Sequence, residues 1–289
     1  MVWSASPVSF DKGQAPSVAV SGQFAVEVHE GNSGTLWYSA GQIQGSTIVW
    51  SEAFQYANGY APSIAISGNT VIEVHQAESG EGALWNVNAQ INSTGGVSWG
   101  DAGQYDNGLA PSVAANGLTV VEVHQSGSGV GPLFYHTGQL LSNVVEWTAT
   151  PSQYDTGVAP SVALAGSTVI EVHQVGTGEG PLWYHAAEIR SNDAVVWAKN
   201  GFQYDTGLAP SVSASGPTVI EVHQVVSGVG ALWYHTAGLQ SSGTVKFAAK
   251  PFEYDSGEAP QVSVAGAMIL EVHDSNKGVG PIFYHTAAY

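Results

Sequence analysis

The chain contains no cysteine, so no disulfide framework holds it together, and its stability has to come from packing and hydrogen bonding. Positive charge is almost as scarce. Six Lys and Arg stand against 23 Asp and Glu, giving a formal charge of −17, and Arg190 is the single arginine. Nucleic acid and anionic membrane surfaces are bound through cationic side chains, so both are excluded as expected partners. Charged residues of both signs make up only 10% of the 289 residues, which leaves Ser, Thr, Asn, Gln and Gly to solvate the surface. No apolar run reaches the roughly 18 residues that a membrane-crossing helix needs. The first residues, Met1-Val2-Trp3-Ser4-Ala5-Ser6-Pro7, hold neither a basic segment nor an apolar stretch. No secretory signal is expected, and the reading is of a soluble protein. Helix-period patterning is missing throughout.

What is present is repetition. Glu-Val-His recurs at Glu27-Val28-His29, Glu73-Val74-His75, Glu122-Val123-His124, Glu171-Val172-His173, Glu221-Val222-His223 and Glu271-Val272-His273. Successive histidines lie 46, 49, 49, 50 and 50 positions apart, and a near-constant period of this length marks a repeat architecture. The fourth copy reads as four short strands: Ser161 to Ala165, Thr168 to Gln174, Leu182 to Glu188 and Ala194 to Ala198. Turns at Gly166-Ser167 and Arg190-Ser191-Asn192-Asp193 and the loop Val175 to Gly180 separate them, and Phe202 to Pro210 carries the chain onward.

Four antiparallel strands repeated every ~40–50 residues predict a β-propeller. The expected fold is all-β, a six-bladed β-propeller of four-stranded antiparallel blades in one domain, 1–289. Its repeats run roughly 1–50, 51–99, 100–147, 148–197, 198–247 and 248–289. Val2-Trp3 matches the fourth strand of a repeat (compare Val196-Trp197), whereas the last repeat stops after Phe283-Tyr284-His285. The strand in 1–6 is therefore expected to complete the last blade and close the ring, leaving no exposed edge. The first strand of each repeat has the smallest residues and is expected innermost, around a central channel. The fourth carries Trp50, Trp99, Trp147, Trp197 or Phe247 and is expected to cover the outer edge.

Three recurring items should gather at one end of such a ring: the His-Gln end of strand two, the loop leading to Leu-Trp-Tyr-His, and the Tyr-Asp-x-Gly-x-Ala-Pro connection. Clefts between blades would then hold carboxylate, imidazole, amide and aromatic groups, the composition of a sugar site. Strand alternation places Glu171 and His173 on one face. A Glu–His pair in every repeat also reads as a buried hydrogen-bonded lock between blades, and the third-strand aromatic as packing. The third strand varies: Ser39 and Val87 stand where later copies have His136, His185, His235 and His285, and Asn86 replaces a tyrosine. The Asp-Thr-Gly at Asp155 and Asp205 reads as turn chemistry. An aspartic protease needs two carboxylates sharing a proton, not a ring of copies. No metal-ligand spacing, nucleophile motif or phosphate loop is present, so neither metal nor cofactor is expected.

At Ala-Pro-Ser-Val-Ala, Thr-Val-Ile-Glu-Val-His-Gln and Gly-x-Gly-Pro-Leu-Trp-Tyr-His the chain resembles the Photorhabdus-type bacterial β-propeller lectins over essentially its whole length. It departs from them in having six repeats where that family uses seven blades. It is similar in size and blade number to six-bladed fungal fucose lectins, without their Arg-containing motif. The likeness implies multivalent binding of fucose and related, including O-methylated, sugars in clefts between blades, without metal or catalysis. Its implied sugar contacts are Glu27, His29 and Trp37; Glu73, His75 and Trp85; Glu122, His124 and Phe134; Glu171, His173 and Trp183; Glu221, His223 and Trp233; and Glu271, His273 and Phe283. Glycans are thus the expected partners, in an extracellular or host setting, and a homo-oligomer is compatible with this. Two rivals remain: a protein-binding scaffold using the flat face of the ring, and a glycan-processing enzyme with one cleft unlike the rest.

Overall fold

The computed structural model describes residues 1–190, 194–240, 242–276 and 278–288. Ser191, Asn192 and Asp193, in the expected turn after Arg190, lie outside the described residues. Among the described residues there are 24 antiparallel strands and no helix, and the architecture is a β-propeller.

The fourth repeat shows how the sequence builds the unit. Its innermost strand is the second half of Ser152–Ala165, which pairs with Thr168–Gln174 in the register Ser161↔Val172 to Ala165↔Thr168. Thr168–Gln174 pairs in turn with Gly180–Ile189, setting Glu171 opposite His185 and His173 opposite Trp183. The fourth strand, Val195–Trp197, spans only three residues and covers only the far end of Gly180–Ile189. The near end would leave backbone N–H and C=O groups unpaired. The first half of Phe202–Ser215 fills that gap, with Gly180↔Gly207 and Leu182↔Asp205. The segment expected as a mere connection is therefore a strand. Past Gly207 the same strand crosses over and becomes the innermost strand of the next repeat.

The crossover bends at an alanine. Ala15, Ala61, Ala110, Ala159, Ala209 and Ala259 all have φ between 46° and 49°, a left-handed conformation that L-residues adopt at a cost. Each such N–H is held by a side chain from the strand-two end of the preceding repeat. Gln76, Gln125, Gln174 and Gln224 do this for four of them, Glu30 for Ala61 and Asp274 for Ala15.

Innermost strands of neighbouring repeats share no ladder, and serine hydroxyls tie them instead. Ser17 accepts the Ile64 N–H, Ser63 that of Val113, Ser112 that of Val162, Ser161 that of Val212, Ser211 that of Val262, and Ser263 that of Val20. A central cavity of ≈ 110 Å³ is lined by all six innermost strands, as their small residues implied.

The apolar cores lie between repeats. One joins Ile170 and Val172 to Val212 and Val219, and another joins Val18 and Ala25 to Leu270 and Val272 of the last repeat. Complete burial of each Val or Ile contributes about 1.5–3 kcal/mol. The fourth-strand aromatics serve the same seams: Trp197 stacks on Tyr154 at 4.3 Å, Phe247 on Tyr204 at 4.5 Å and Trp3 on Tyr254 at 4.8 Å. Trp3 sits in the strand Val2–Trp3, which pairs with Gly280–Ala288, Val2 opposite Ala288.

Candidate functional site

Strand two is buried on both faces because neighbouring sheets cover it. Glu27, Glu73, Glu122, Glu171, Glu221 and Glu271 are all 0% exposed. A carboxylate so placed needs partners. Each accepts a hydrogen bond from the Nδ1 of its own repeat's His, at 3.0 Å from His173 and 3.1 Å from His223, for example. Tyr56, Tyr204 and Tyr254, on the strand arriving from the preceding repeat, donate their hydroxyls to Glu73, Glu221 and Glu271 at 2.9–3.0 Å. Burial, then the neighbouring carboxylate, pushes these phenols well above the usual tyrosine value, so they remain donors. The six glutamates thus sit behind the histidines, and Glu73, Glu221 and Glu271 also tie their repeat to the preceding one.

The histidines face the cleft. With Nδ1 committed to Glu, Nε2 points towards an aspartate of the arriving strand. His223 Nε2 lies 3.6 Å from Asp205, and His124 Nε2 lies 3.5 Å from Asp106. The same aspartates bind the third-strand histidine more closely: Asp205–His235 at 2.6 Å, Asp106–His136 and Asp255–His285 at 2.7 Å, and Asp155–His185 at 2.8 Å. Burial opposes a charged imidazole at His29, His124, His173, His223 and His273. The adjacent Glu and Asp carboxylates outweigh it and hold these side chains above the ordinary histidine value. Burial also opposes the charge on Asp155 and Asp205. The imidazoles of His185 and His235, with the N–H groups of Thr156 and Thr206, overcome it and hold both below the usual carboxylate range.

These aspartates were read from sequence as turn residues, and that is half of their role. One oxygen of Asp205 does accept the Thr206 N–H at 2.8 Å, while the other takes the histidines. The signal was present in the second repeat, where Ala57 replaces the aspartate and Val87 its partner histidine together. In the first repeat Ser39 takes the histidine's place and donates to Asp11 at 2.8 Å. The glycine two residues beyond the aspartate is there for closeness. A side-chain carbon on Gly207 would meet the His223 ring and the Gln224 carbonyl, each at 2.7 Å.

The aromatic wall is completed by Trp37, Trp85, Phe134, Trp183, Trp233 and Phe283, all half-buried. Phe134 and Phe283 stack on His124 and His273 at 5.9 and 5.8 Å. In every repeat but the second, the aromatic, its strand-two histidine and the arriving aspartate therefore form one cleft between consecutive repeats, and the glutamate stands behind; around Trp85 and His75 the aspartate is missing. In the first cleft Asp11, Lys12, His29 and Trp37 line an open pocket of ≈ 410 Å³, with Val279 of the last repeat opposite. Asp11, Glu27 and His29 also approach to within 4.8 Å of one another, the one such group among the described residues. Their hydrogen bonds are already matched: Glu27 takes His29 Nδ1 at 3.1 Å, and Asp11 takes the Ser39 hydroxyl.

No protein-family profile matches the chain, and no curated protein matches it. Solved structures do. A Trypanosoma rangeli sialidase in complex with the inhibitor DANA aligns with a TM-score of 0.62 and 11% identity, over 97% of this chain and 58% of its own. A subtype N11 neuraminidase-like protein of flat-faced bat origin aligns at 0.54 and 10% identity, over 99% and 93%. A Bacteroides uniformis protein described as a candidate 6-phosphogluconolactonase aligns at 0.58 and 11%, over 92% and 83%. At such identities the likeness is one of fold. The chain spans little more than half the length of the sialidase it matches.

Proposed function

We propose that this chain is a multivalent, non-catalytic carbohydrate-binding protein, a lectin. In this reading it is a six-bladed propeller whose ring is closed by the N-terminal strand. Sugars occupy the clefts between blades, as the resemblance to the Photorhabdus-type lectins implies. The observation that carries the reading is the recurrence of one cleft: a half-buried Trp or Phe for the C–H face of a sugar, beside an imidazole-bound aspartate oriented to accept from hydroxyls. Five of the six clefts keep the aspartate. Weak sites repeated in this way gain ~10²–10⁴ in avidity where a glycan surface engages several at once.

Fucose-like or O-methylated neutral sugars fit better than anionic ones. Carboxylated sugars such as sialic acid call for cationic partners. Apart from Lys12 in the first cleft, the residue after the aspartate is Asn107, Thr156, Thr206 or Ser256. The names of the fold neighbours favour a second reading, a glycan-processing enzyme. Hydrolysis of a glycosidic bond uses two carboxyl groups flanking it. Beside the strand-two histidine, five clefts offer one partly exposed aspartate and the second offers none, the glutamate being wholly enclosed behind the histidine.

The test is a glycan array followed by calorimetry with L-fucose and its O-methylated derivatives. Several sites per chain, with one cleft lost in Asp155→Ala and in Trp183→Ala while the fold persists, is the expected result. Silence on the array, with capture of a protein partner, would instead support a scaffold. Turnover of a glycoside would support the enzyme.

A further inference from the structure

We propose that one residue in each glycine-rich loop is a specificity-determining wall of the next repeat's cleft, and that these walls divide the clefts into an apolar and an acidic class. This rests on the carbohydrate reading and deepens it.

Two crossings carry the inference. Val279 belongs to the loop between the second and third strands of the last repeat, yet it lines the pocket of the first cleft with Trp37, His29 and Asp11. Glu81 belongs to the corresponding loop of the second repeat. One of its carboxylate oxygens lies 3.2 Å from where a side-chain carbon on Gly127 of the third repeat would sit. Gly127 stands two residues past Gln125, as Asn32 stands two past Glu30, and Asn32 also lines the first pocket. The same loop position thus reaches over the following cleft in two separate places.

Along the chain that position reads Glu81, Val130, Glu179, Val229 and Val279, with Ser33 in the shorter first loop. Val130 and Val229 are each 53% exposed, and Glu81 and Glu179 are exposed as well, so none is needed for the core. The first, fourth and sixth clefts therefore face valine, and the third and fifth face glutamate. The second faces serine and lacks both the aspartate and the third-strand histidine.

Chemistry separates the two classes. Valine opposite Trp37, Trp183 or Phe283 makes a slot with two apolar sides, which holds a methyl substituent on the sugar and gains by excluding water from it. Glutamate opposite Phe134 or Trp233 adds a second acceptor facing Asp106 or Asp205. A ligand with free hydroxyls satisfies both acceptors, whereas a methyl ether leaves the glutamate without a donor as it is desolvated. A single methyl group in an apolar pocket is worth roughly 10–200-fold in discrimination.

Calorimetric titration with 2-O-methyl-L-fucose and with L-fucose reads the number of sites in each class. The wild-type chain should bind the methyl ether at three sites about tenfold more tightly than at the remaining ones. Glu81→Val with Glu179→Val should raise the tight class to five, and Val130→Glu, Val229→Glu and Val279→Glu together should empty it. Because these positions are exposed loop residues, melting temperatures should hold across the set, confirming that folded proteins are compared. Unchanged site numbers and affinities in a wild type that does bind sugar would overturn the wall assignment alone. A wild type that binds neither sugar would overturn the carbohydrate reading and the walls with it.

Discussion

The second and fifth repeats are built on the same frame and differ where they face solvent. Both keep the enclosed glutamate, its histidine and the tyrosine that arrives from the preceding repeat: Tyr56–Glu73–His75 in one, Tyr204–Glu221–His223 in the other. Both hand a glutamine carbonyl to the next left-handed alanine, Gln76 to Ala110 and Gln224 to Ala259. Only the fifth has the aspartate bridging two histidines, and Ala57 and Val87 take those places in the second. A repeat can thus lose the bridge and remain in register, but none has lost the glutamate. Glu and His belong to the frame, joined by Tyr in every repeat but the first, where Phe10 stands, and Asp with the second His is an addition to it.

This contrast can be broken most severely at the frame. Glu221→Ala leaves His223 and Tyr204 facing an emptied, enclosed position and should cost about 3–5 kcal/mol in denaturant unfolding. Glu73→Ala should cost a similar amount despite its cleft having no aspartate. If Glu73→Ala were mild, the division between frame and addition would be wrong. At the next level down, Asp205→Ala should remove one sugar site from the calorimetric count and cost only about 1–2 kcal/mol of stability. Ala57→Asp combined with Val87→His should add one site, sharpening the comparison from the other side.

Acidity provides a broader and shallower probe. His29, His124, His173, His223 and His273 titrate higher in the folded chain than when unfolded, so their contribution is full below about pH 6.5 and is lost as pH rises through their folded values. Asp155 and Asp205 titrate lower when folded, so theirs is present above about pH 4 and lost as pH falls through the folded values. Asp274 is raised to about 8 by burial, in spite of the Ala15 N–H, and by repulsion from Glu27 and Glu258. Its cost therefore grows from about pH 4 and levels off near 8. The histidines and Asp274 lower stability as pH rises, while Asp155 and Asp205 set the limit on the acid side, so scanning calorimetry should find the melting temperature highest in mildly acidic buffer and declining towards pH 8. The smallest effect is expected at the crossover. Ala209→Gly relieves a left-handed alanine and should be neutral or stabilising by up to about 1 kcal/mol, which a urea titration resolves.

Much of the fold was legible from the triplet period, the small innermost residues and the match of Val2-Trp3 to a fourth strand. The aromatic member of each cleft was legible too, since it recurs beside a polar loop. Two features were hidden for physical reasons. Alternation places Glu171 and His173 on one side but cannot show that both sides of that strand are covered, because the cover comes from neighbouring repeats. The partner of Asp205 lies 30 residues away across a seam, so a local reading saw only its N–H acceptor in the turn.

The strand that leaves one sheet and enters the next has a mechanical consequence. Ser152–Ala165, Phe202–Ser215 and Phe252–Ala265 each serve two sheets, so no whole repeat can be excised without tearing a strand from a neighbour. Arrays stacked from self-contained units can lose a unit and re-seal. Here a new chain start would be tolerated at the hairpin tips and not at the boundaries of the written repeat, and unfolding should sweep through neighbouring repeats together instead of one at a time.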